Sequence, residues 1–326
     1  MSDVTKSIAA VGNTSTASQF GTPGGQLTEL RRGVYAWIQP DGSWWINNAG
    51  AIAGGNGVVL VDTCATAERT HAFLNAVDTA TSGTPVRAAI NTHVHGDHTH
   101  GNALLPDTAR IIGHRETRDG IASDTVLTAP PPVWNPMPHW GIDRHRLPDV
   151  IADGPLSLFA GDREIIVQHP GYHAHTSGDL ITWLPHERIL FAGDLLFNEV
   201  TPLAFMGSME GARRVLTWIA EFEPAVVVPG HGPIIERTEL SGVLDAHDRY
   251  YRFVLDTARE GRAKGWTPLE SARNCDLGAF GHWGDPERIV LNLHRAYCDA
   301  DGTDLDPAAA FADAVAFHGG PLHCHA

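Results

Sequence analysis

Thr92-His93-Val94-His95-Gly96-Asp97-His98-Thr99-His100 directly follows the short apolar run Ala88-Ala89-Ile90-Asn91, so five imidazole or carboxylate side chains fall within eight residues just past a strand end. Neutral imidazoles and carboxylates are the usual ligands of zinc-like ions, and a loop can wrap its donors around a metal as an extended strand cannot. An isolated HxH is more often a solvated loop or a core histidine. Three further pieces argue against that reading here: His175 in HAHTSGD (173–179), Asp194 closing LFAGD (190–194), and His231 in VVPGHG (227–232), each at a strand-to-loop transition. His173 competes with His175 for the first of these places.

Upstream of this stretch, GVYAWIQ (33–39) and WWINNAGAIAGGNGVVLVD (44–62) are short apolar runs punctuated by Gly and Asn, the pattern of a hairpin-rich sheet. Residues 65–80 carry apolar positions at helical spacing, Ser-Gly-Thr-Pro (82–85) ends that helix, and VRAAINT (86–92) returns to strand. Downstream the theme repeats. EIIVQH (164–169), DLITWLP (179–185) and RILFAGD (188–194) form strands, Ser208 caps a helix through MEGARRVLTWIAEF (209–222), and AVVVPG (225–230) forms another strand. Two sheet-forming halves, each followed by helices, predict a layered α/β or α+β sandwich. Residues 123–149 contain six prolines with Trp134 and Trp140, which excludes regular helix or central strand and marks a long surface excursion. From about Leu240 to His318 the pattern is helical, broken by Gly, Asp and Pro.

The chain has 326 residues, 23 basic and 38 acidic, for a formal charge of −15. Its mean field repels phosphate backbones and anionic membranes, so neither nucleic acid nor a membrane is an expected partner; bound divalent ions could still reverse the potential locally and admit a small anionic substrate. Cys64, Cys275, Cys298 and Cys324 show no CxxC spacing, which fits a reducing cytoplasm. The first 21 residues lack the pattern of a secretory signal, and no apolar run reaches the length of a membrane span. The expected organisation is a flexible lead-in over residues 1–25, a core over 26–239 interrupted by the excursion 123–149, and a helical C-terminal extension over 240–326. Oligomeric state is not readable.

The order HxHxDH, then separate His, Asp and His, resembles the metallo-β-lactamase superfamily over roughly residues 33–235. The resemblance implies an αββα sandwich with a two-metal site. His93, His95 and His175 would hold one ion, Asp97, His98 and His231 the other, and Asp194 would bridge them; His175 is preferred over His173 because Thr176 and Gly178-Asp179 follow it. Asp62, which closes the run VVLVD (58–62), matches a family carboxylate lying beneath the metal loop, where it would orient ligands. His100 and His114 are expected to pack or support rather than ligate, and Cys64 to be buried. The ions are expected to be zinc, with manganese or iron as alternatives.

Such a pair of ions shares a hydroxide that attacks a carbonyl at neutral pH, with Asp97 as the residue expected to orient it. An oxygen bridge at Asp194 resembles the glyoxalase II, lactonase and thioesterase branches, so an ester, thioester or lactone of a small acyl substrate is the expected target. DGSWWINNAG (41–50), TPLAFMGS (201–208), LHRAYCDA (293–300) and the closing CHA are also similar to actinobacterial proteins of aromatic polyketide pathways, some of which act as cyclase-thioesterases. Trp44, Trp45, Trp134, Trp140, Phe205 and Met206 fall in segments that approach the metal edge in this fold and suit an apolar or aromatic substrate. β-Lactam hydrolysis, a mononuclear-iron dioxygenase and a metal-free binding protein are the alternatives on the same fold. The terminal His323, Cys324 and His325, with His318, are expected to fray.

Overall fold

The computed structural model describes residues 24–326, so the expected lead-in falls almost wholly outside the described residues. The first sheet begins with an antiparallel meander, β1 (Gln26–Arg31), β2 (Val34–Ile38), β3 (Ala49–Gly54) and β4 (Gly57–Val61). After helix α1 (Ala67–Ala80), capped by Thr66, β5 (Val86–Ile90) lies parallel to β4. A short helix α2 (Gly96–Thr99) follows, and β6 (Arg110–Gly113) pairs parallel to β5. Helix α3 (Arg115–Ser123) leads into the excursion, whose regular structure is β7 (Trp134–Asn135); β8 (Val150–Ile151) then completes the first sheet beside β6.

The second sheet holds β9 (Leu156–Ala160), β10 (Arg163–Gln168), β11 (Ile181–Leu184), β12 (Ile189–Phe197), β13 (Val226–His231) and β14 (Ile235–Glu236), in the order β14-β13-β12-β11-β10-β9. Helix α4 (Met209–Glu221) connects β12 to β13 so that these two run parallel. Ser208 caps α4 as expected, its Oγ accepting from the Gly211 amide at 3.2 Å. Four more helices close the chain: α5 (Arg237–Lys264), α6 (Pro268–Asn274), α7 (Arg288–Asp301) and α8 (Pro307–His318).

Alternation along the strands builds the layers, because side chains at every second position face the same side. In β4, Val58 and Leu60 pack with Phe73 and Val77 of α1, while Val59 and Val61 face the second sheet. In β12, Ile189 and Phe191 meet Val59 and Val61, while Leu190 and Ala192 join Leu216 of α4 and Tyr250 of α5. Helix, sheet, sheet, helix is the resulting order, the αββα sandwich read from the sequence, with the C-terminal helices packed on its second outer face.

Two expectations change in detail. Trp44–Asn47 is a turn rather than strand, with Trp45 at φ +68°. The chain end does not fray: β15 (Leu322–His323) pairs parallel to β7, Leu322 and Cys324 are buried, and Arg69 Nη2 donates to the His325 carbonyl at 2.7 Å. The physical reason is that Leu322 and Cys324 bring apolar side chains to a surface that Trp134 and Trp44 leave open. All four cysteines are free thiols, and Cys64 is fully buried. Among the described residues no helix is long and apolar enough to cross a membrane.

Candidate metal centre

Both parallel pairs, β4 with β5 and β12 with β13, deliver their C-terminal ends to one edge of the sandwich. There the chain turns sharply. Asp62 follows β4 at φ +60°, the 91–100 loop follows β5, Asp194 sits within β12 just after Gly193 at φ +52°, and His231 ends β13. His175 comes from the loop before β11, where Asp179 accepts from the Thr176 amide and hydroxyl and fixes the turn.

Two clusters result. Donor atoms of His93, His95, His175 and Asp194 lie within 4.8 Å of one another, as do those of Asp97, His98 and His231. His95 Nδ1 is 3.1 Å from His93 Nε2 and 3.0 Å from His175 Nε2. Asp194 faces both groups: Oδ2 lies 3.4 Å from His175 Nε2 and 3.4 Å from His231 Nε2, while Oδ1 is 3.1 Å from His98 Nε2. Asp97 Oδ2 is 3.2 Å from His231 Nε2. The seven residues expected from the sequence therefore converge; His173 is exposed and outside the clusters.

The outer ring nitrogens are already engaged. His175 Nδ1 donates to the Leu203 carbonyl at 2.5 Å and His231 Nδ1 to the Gly42 carbonyl at 2.9 Å. His98 Nδ1 is 2.8 Å from Asp62 Oδ2, and that carboxylate also accepts from the Thr92 amide and hydroxyl, both at 2.7 Å. His93 Nδ1 contacts Thr92 Oγ1 at 3.0 Å. With these contacts made, the Nε2 atoms of all four rings point inward, and His95 Nδ1 can carry one proton for the two neighbours, His93 and His175, that face it. His98 Nε2 and Asp194 Oδ1 have no hydrogen-bond partner although both are buried. A buried polar atom without a partner is costly, and divalent cations satisfy this donor set. The residues fit metal ions.

Electrostatics divides the histidines. Burial, with the neighbouring rings, holds His93 well below its usual pKa and lowers His175 to about 3, so both are neutral and have lone pairs to offer. Burial also acts against the charged forms of His98 and His231, but the facing carboxylates overcome it, raising His98 well above its usual value and His231 to about 9. Asp97 and Asp194 are held anionic by the same contacts, against the effect of their burial.

A cavity of about 600 Å³ opens onto the centre and reaches His95, Asp97, Asp194 and His231. Trp45, Trp134, Phe205 and Met206 line it as expected, together with Trp44. Trp140 does not line it; it packs behind Trp45, with ring centroids 4.6 Å apart, on Leu127 and Ile142. Arg288 and Phe311 complete the wall from the C-terminal helices. No local motif signals either one: Phe311 stands in an alanine-rich helix, and Arg288 is fully buried beneath Trp44 with its guanidinium 4.6 Å from that ring.

The sequence profile described as the metallo-beta-lactamase superfamily matches residues 42–231. The chain is 28% identical over 220 residues to the 2,4-dinitroanisole O-demethylase subunit alpha of Nocardioides sp. (strain JS1661), covering 65% of this chain and 60% of that one. It is 24% identical over 213 residues to a hydroxyacylglutathione hydrolase of Rhizobium meliloti (strain 1021), covering 64% and 73% respectively. Among solved structures, the stereoselective inverting sec-alkylsulfatase from Pseudomonas sp. superposes with a TM-score of 0.64 at 18% identity, over 91% of this chain and 55% of that one. This last likeness is one of fold.

Proposed function

The chain belongs to the metallo-beta-lactamase superfamily, and from that premise we propose that it is a two-metal hydrolase cleaving an ester, thioester or lactone of an apolar, aromatic acyl substrate. The observation that carries this reading is the cavity whose floor is the His/Asp centre and whose walls are Trp44, Trp45, Trp134, Phe205 and Phe311. His93, His95 and His175 would hold one ion and Asp97, His98 and His231 the other, with Asp194 shared, since its two oxygens face both groups. When bound, such a pair of divalent ions supplies a water nucleophile at neutral pH and a Lewis acid for the carbonyl and the leaving group.

The protein's own groups do the rest. Asp97 lies on the cavity floor and is held anionic, so it can accept a hydrogen bond from the attacking water and aim it. Asp62 locks the His98 ring through Nδ1, keeping Nε2 turned toward the centre. The aromatic walls bind a flat acyl group and exclude bulk water, which strengthens every charge interaction beneath.

A second reading is favoured by one finding: a relative at 28% identity is described as acting on a nitroaryl methyl ether, an aromatic substrate of a size this cavity accepts. The test is metal quantification joined to a screen of aryl esters, aryl thioesters, lactones, β-lactams, phosphodiesters and aryl methyl ethers. Turnover of aryl esters or thioesters with close to two ions bound is expected. Turnover of ethers alone selects the second reading. Consumption of a thioester without release of free acid indicates cyclisation, and no turnover by metal-loaded protein leaves a binding role.

A further inference from the structure

We propose that His100, Asp124 and His145 form a third metal site, in which a zinc-like divalent ion clips the base of the Pro- and Trp-rich excursion to the end of the metal loop. Donor atoms of these three residues lie within 4.8 Å of one another, and none belongs to the two clusters of the centre. His100 Nε2 and His145 Nε2 are each 3.5 Å from Asp124 Oδ2. Direct hydrogen bonds fall at about 2.7–3.2 Å. A tetrahedral zinc with bonds of about 2.0–2.1 Å separates its donors by roughly 3.3 Å, which is the spacing of donors that share an ion. The same spacing, 3.0 to 3.4 Å, relates His175 to His95 and to Asp194 in the centre.

His100 supplies the second observation. Its ring is 1% exposed, and Nδ1 lies 3.3 Å from the Ala65 carbonyl, which takes the Nδ1 proton. Nε2 is therefore a lone pair turned toward the Asp124 carboxylate, and it is buried with no hydrogen-bond partner. The ring cannot turn away, because Trp45 stacks on it at 5.8 Å and Trp140 meets it edge-on at 5.2 Å. A lone pair facing a carboxylate repels it unless a cation stands between. A proton would draw the two into hydrogen-bond range, whereas 3.5 Å leaves room for a metal.

The remaining neighbours are compatible. His145 Nε2 also lies 3.2 Å from the Asp124 carbonyl, so binding an ion exchanges that ring N–H bond for a metal bond, with the ring proton moved to Nδ1. Arg146, next in sequence, turns its guanidinium to the carbonyls of Leu105 and Ala109, away from the cluster. Asp124 and His145 bracket the stretch that carries Trp134 and Trp140, and Asp124 itself lines the cavity. An ion here would close a twenty-residue loop at its base, between residues 124 and 145, and fix one wall of the pocket.

The full-length protein, stripped with a chelator and dialysed against zinc, is compared with Asp124→Asn and His145→Gln by metal analysis. Each variant is expected to hold one equivalent fewer than the parent while keeping the ions of the centre. Zinc should protect the 124–145 segment from protease in the parent and not in the variants. The readout is the difference between parent and variant, so it is separate from the two-metal reading, which fails instead if a His95→Ala variant keeps the parent's metal content and rate. Equal metal content in parent and folded variants overturns the site. Should a variant not fold, cobalt titration of the parent decides: one equivalent beyond those of the centre, with a tetrahedral absorption band, supports the clip, and its absence overturns it.

Discussion

Gly230 immediately precedes His231, and a Cβ built there would meet Asp194 Oδ1 at 1.8 Å and the Asp194 amide at 2.8 Å. The first ends a short, buried side chain and the second is backbone, so Gly230→Ala must push Asp194 off its place between the two clusters. Metal content and rate are expected to fall together, the rate by roughly 100-fold; full metal content and rate in the variant would show that Asp194 is not held there by necessity. Asp62→Asn tests the layer beneath. The amide has one oxygen: at the Oδ2 position it accepts from the Thr92 hydroxyl and His98 Nδ1 but turns its NH2 against the Thr92 amide, and at Oδ1 it turns that NH2 against His98 Nδ1–H, so metal affinity measured against a chelator should drop about 10- to 100-fold. Unchanged affinity would make Asp62 an ordinary strand end. The donors themselves were legible because His93, His95, Asp97 and His98 are neighbours along the chain and the other three sit at recognisable strand ends. Thr92, Arg288 and Phe311 were not legible. Thr92 acts through hydrogen bonds to Asp62 and His93, and the other two reach the pocket only because distant helices dock on the second sheet.

Between elements, His247 joins α5 to β12: its Nε2 accepts from the Phe197 amide at 3.2 Å and its Nδ1 donates to the Val243 carbonyl at 2.9 Å. Both bonds require the neutral ring, and burial lowers its pKa to about 4 from the usual 6.5. The unfolded chain binds this proton below pH 6.5 and the folded protein does not, so the folded state is favoured fully above 6.5 and loses ground as pH falls through 6.5 to about 4. The difference amounts to at most about 3 kcal/mol. His247→Gln should flatten the fall of melting temperature over that window relative to the parent; parallel curves would remove the assignment. The excursion gives a second contrast. Trp140 is 6% exposed and packs behind Trp45, so Trp140→Ala should cost about 3–5 kcal/mol of stability with little change of substrate preference. Met206 is 43% exposed at the cavity, so Met206→Ala should shift KM between bulky aromatic and small acyl substrates without moving the melting temperature. The reverse pattern would place the pocket elsewhere. Continuous apolar runs buried on both faces, such as β4 and β12, could be read directly, whereas Trp44–Asn47 is as apolar as a strand and is bent into a turn by its tertiary contacts.

Across the whole molecule, the pocket is closed by parts far apart in sequence. Trp134 from the excursion meets Trp44 from the turn between β2 and β3 and Phe311 from α8, with centroids 6.2 and 5.5 Å apart. The layered sandwich could be inferred from periodicity, but the seam between excursion and chain end could not. It rests on two-residue strands, β7 and β15, too short to leave a pattern. That seam carries weight in physical terms. Leu322 is fully buried, Cys324 nearly so, and the His325 carbonyl accepts from Arg69, whose other branch donates to Gln39 at 2.9 Å. Removing residues 321–326 takes away Leu322, Cys324 and the carbonyl that Arg69 binds, while leaving every residue of the metal centre in place. Loss of one buried leucine alone costs about 2–5 kcal/mol. The shortened protein should therefore melt at a lower temperature, its 124–149 segment should be cut faster by protease, and KM for aromatic substrates should rise because Trp134 has lost its partner strand. Metal content should stay at the parent's value. A shortened protein with unchanged melting temperature and unchanged proteolysis would show that the excursion holds its shape without the chain end, leaving the pocket wall to the packing of Trp134 on Trp45 and Phe311.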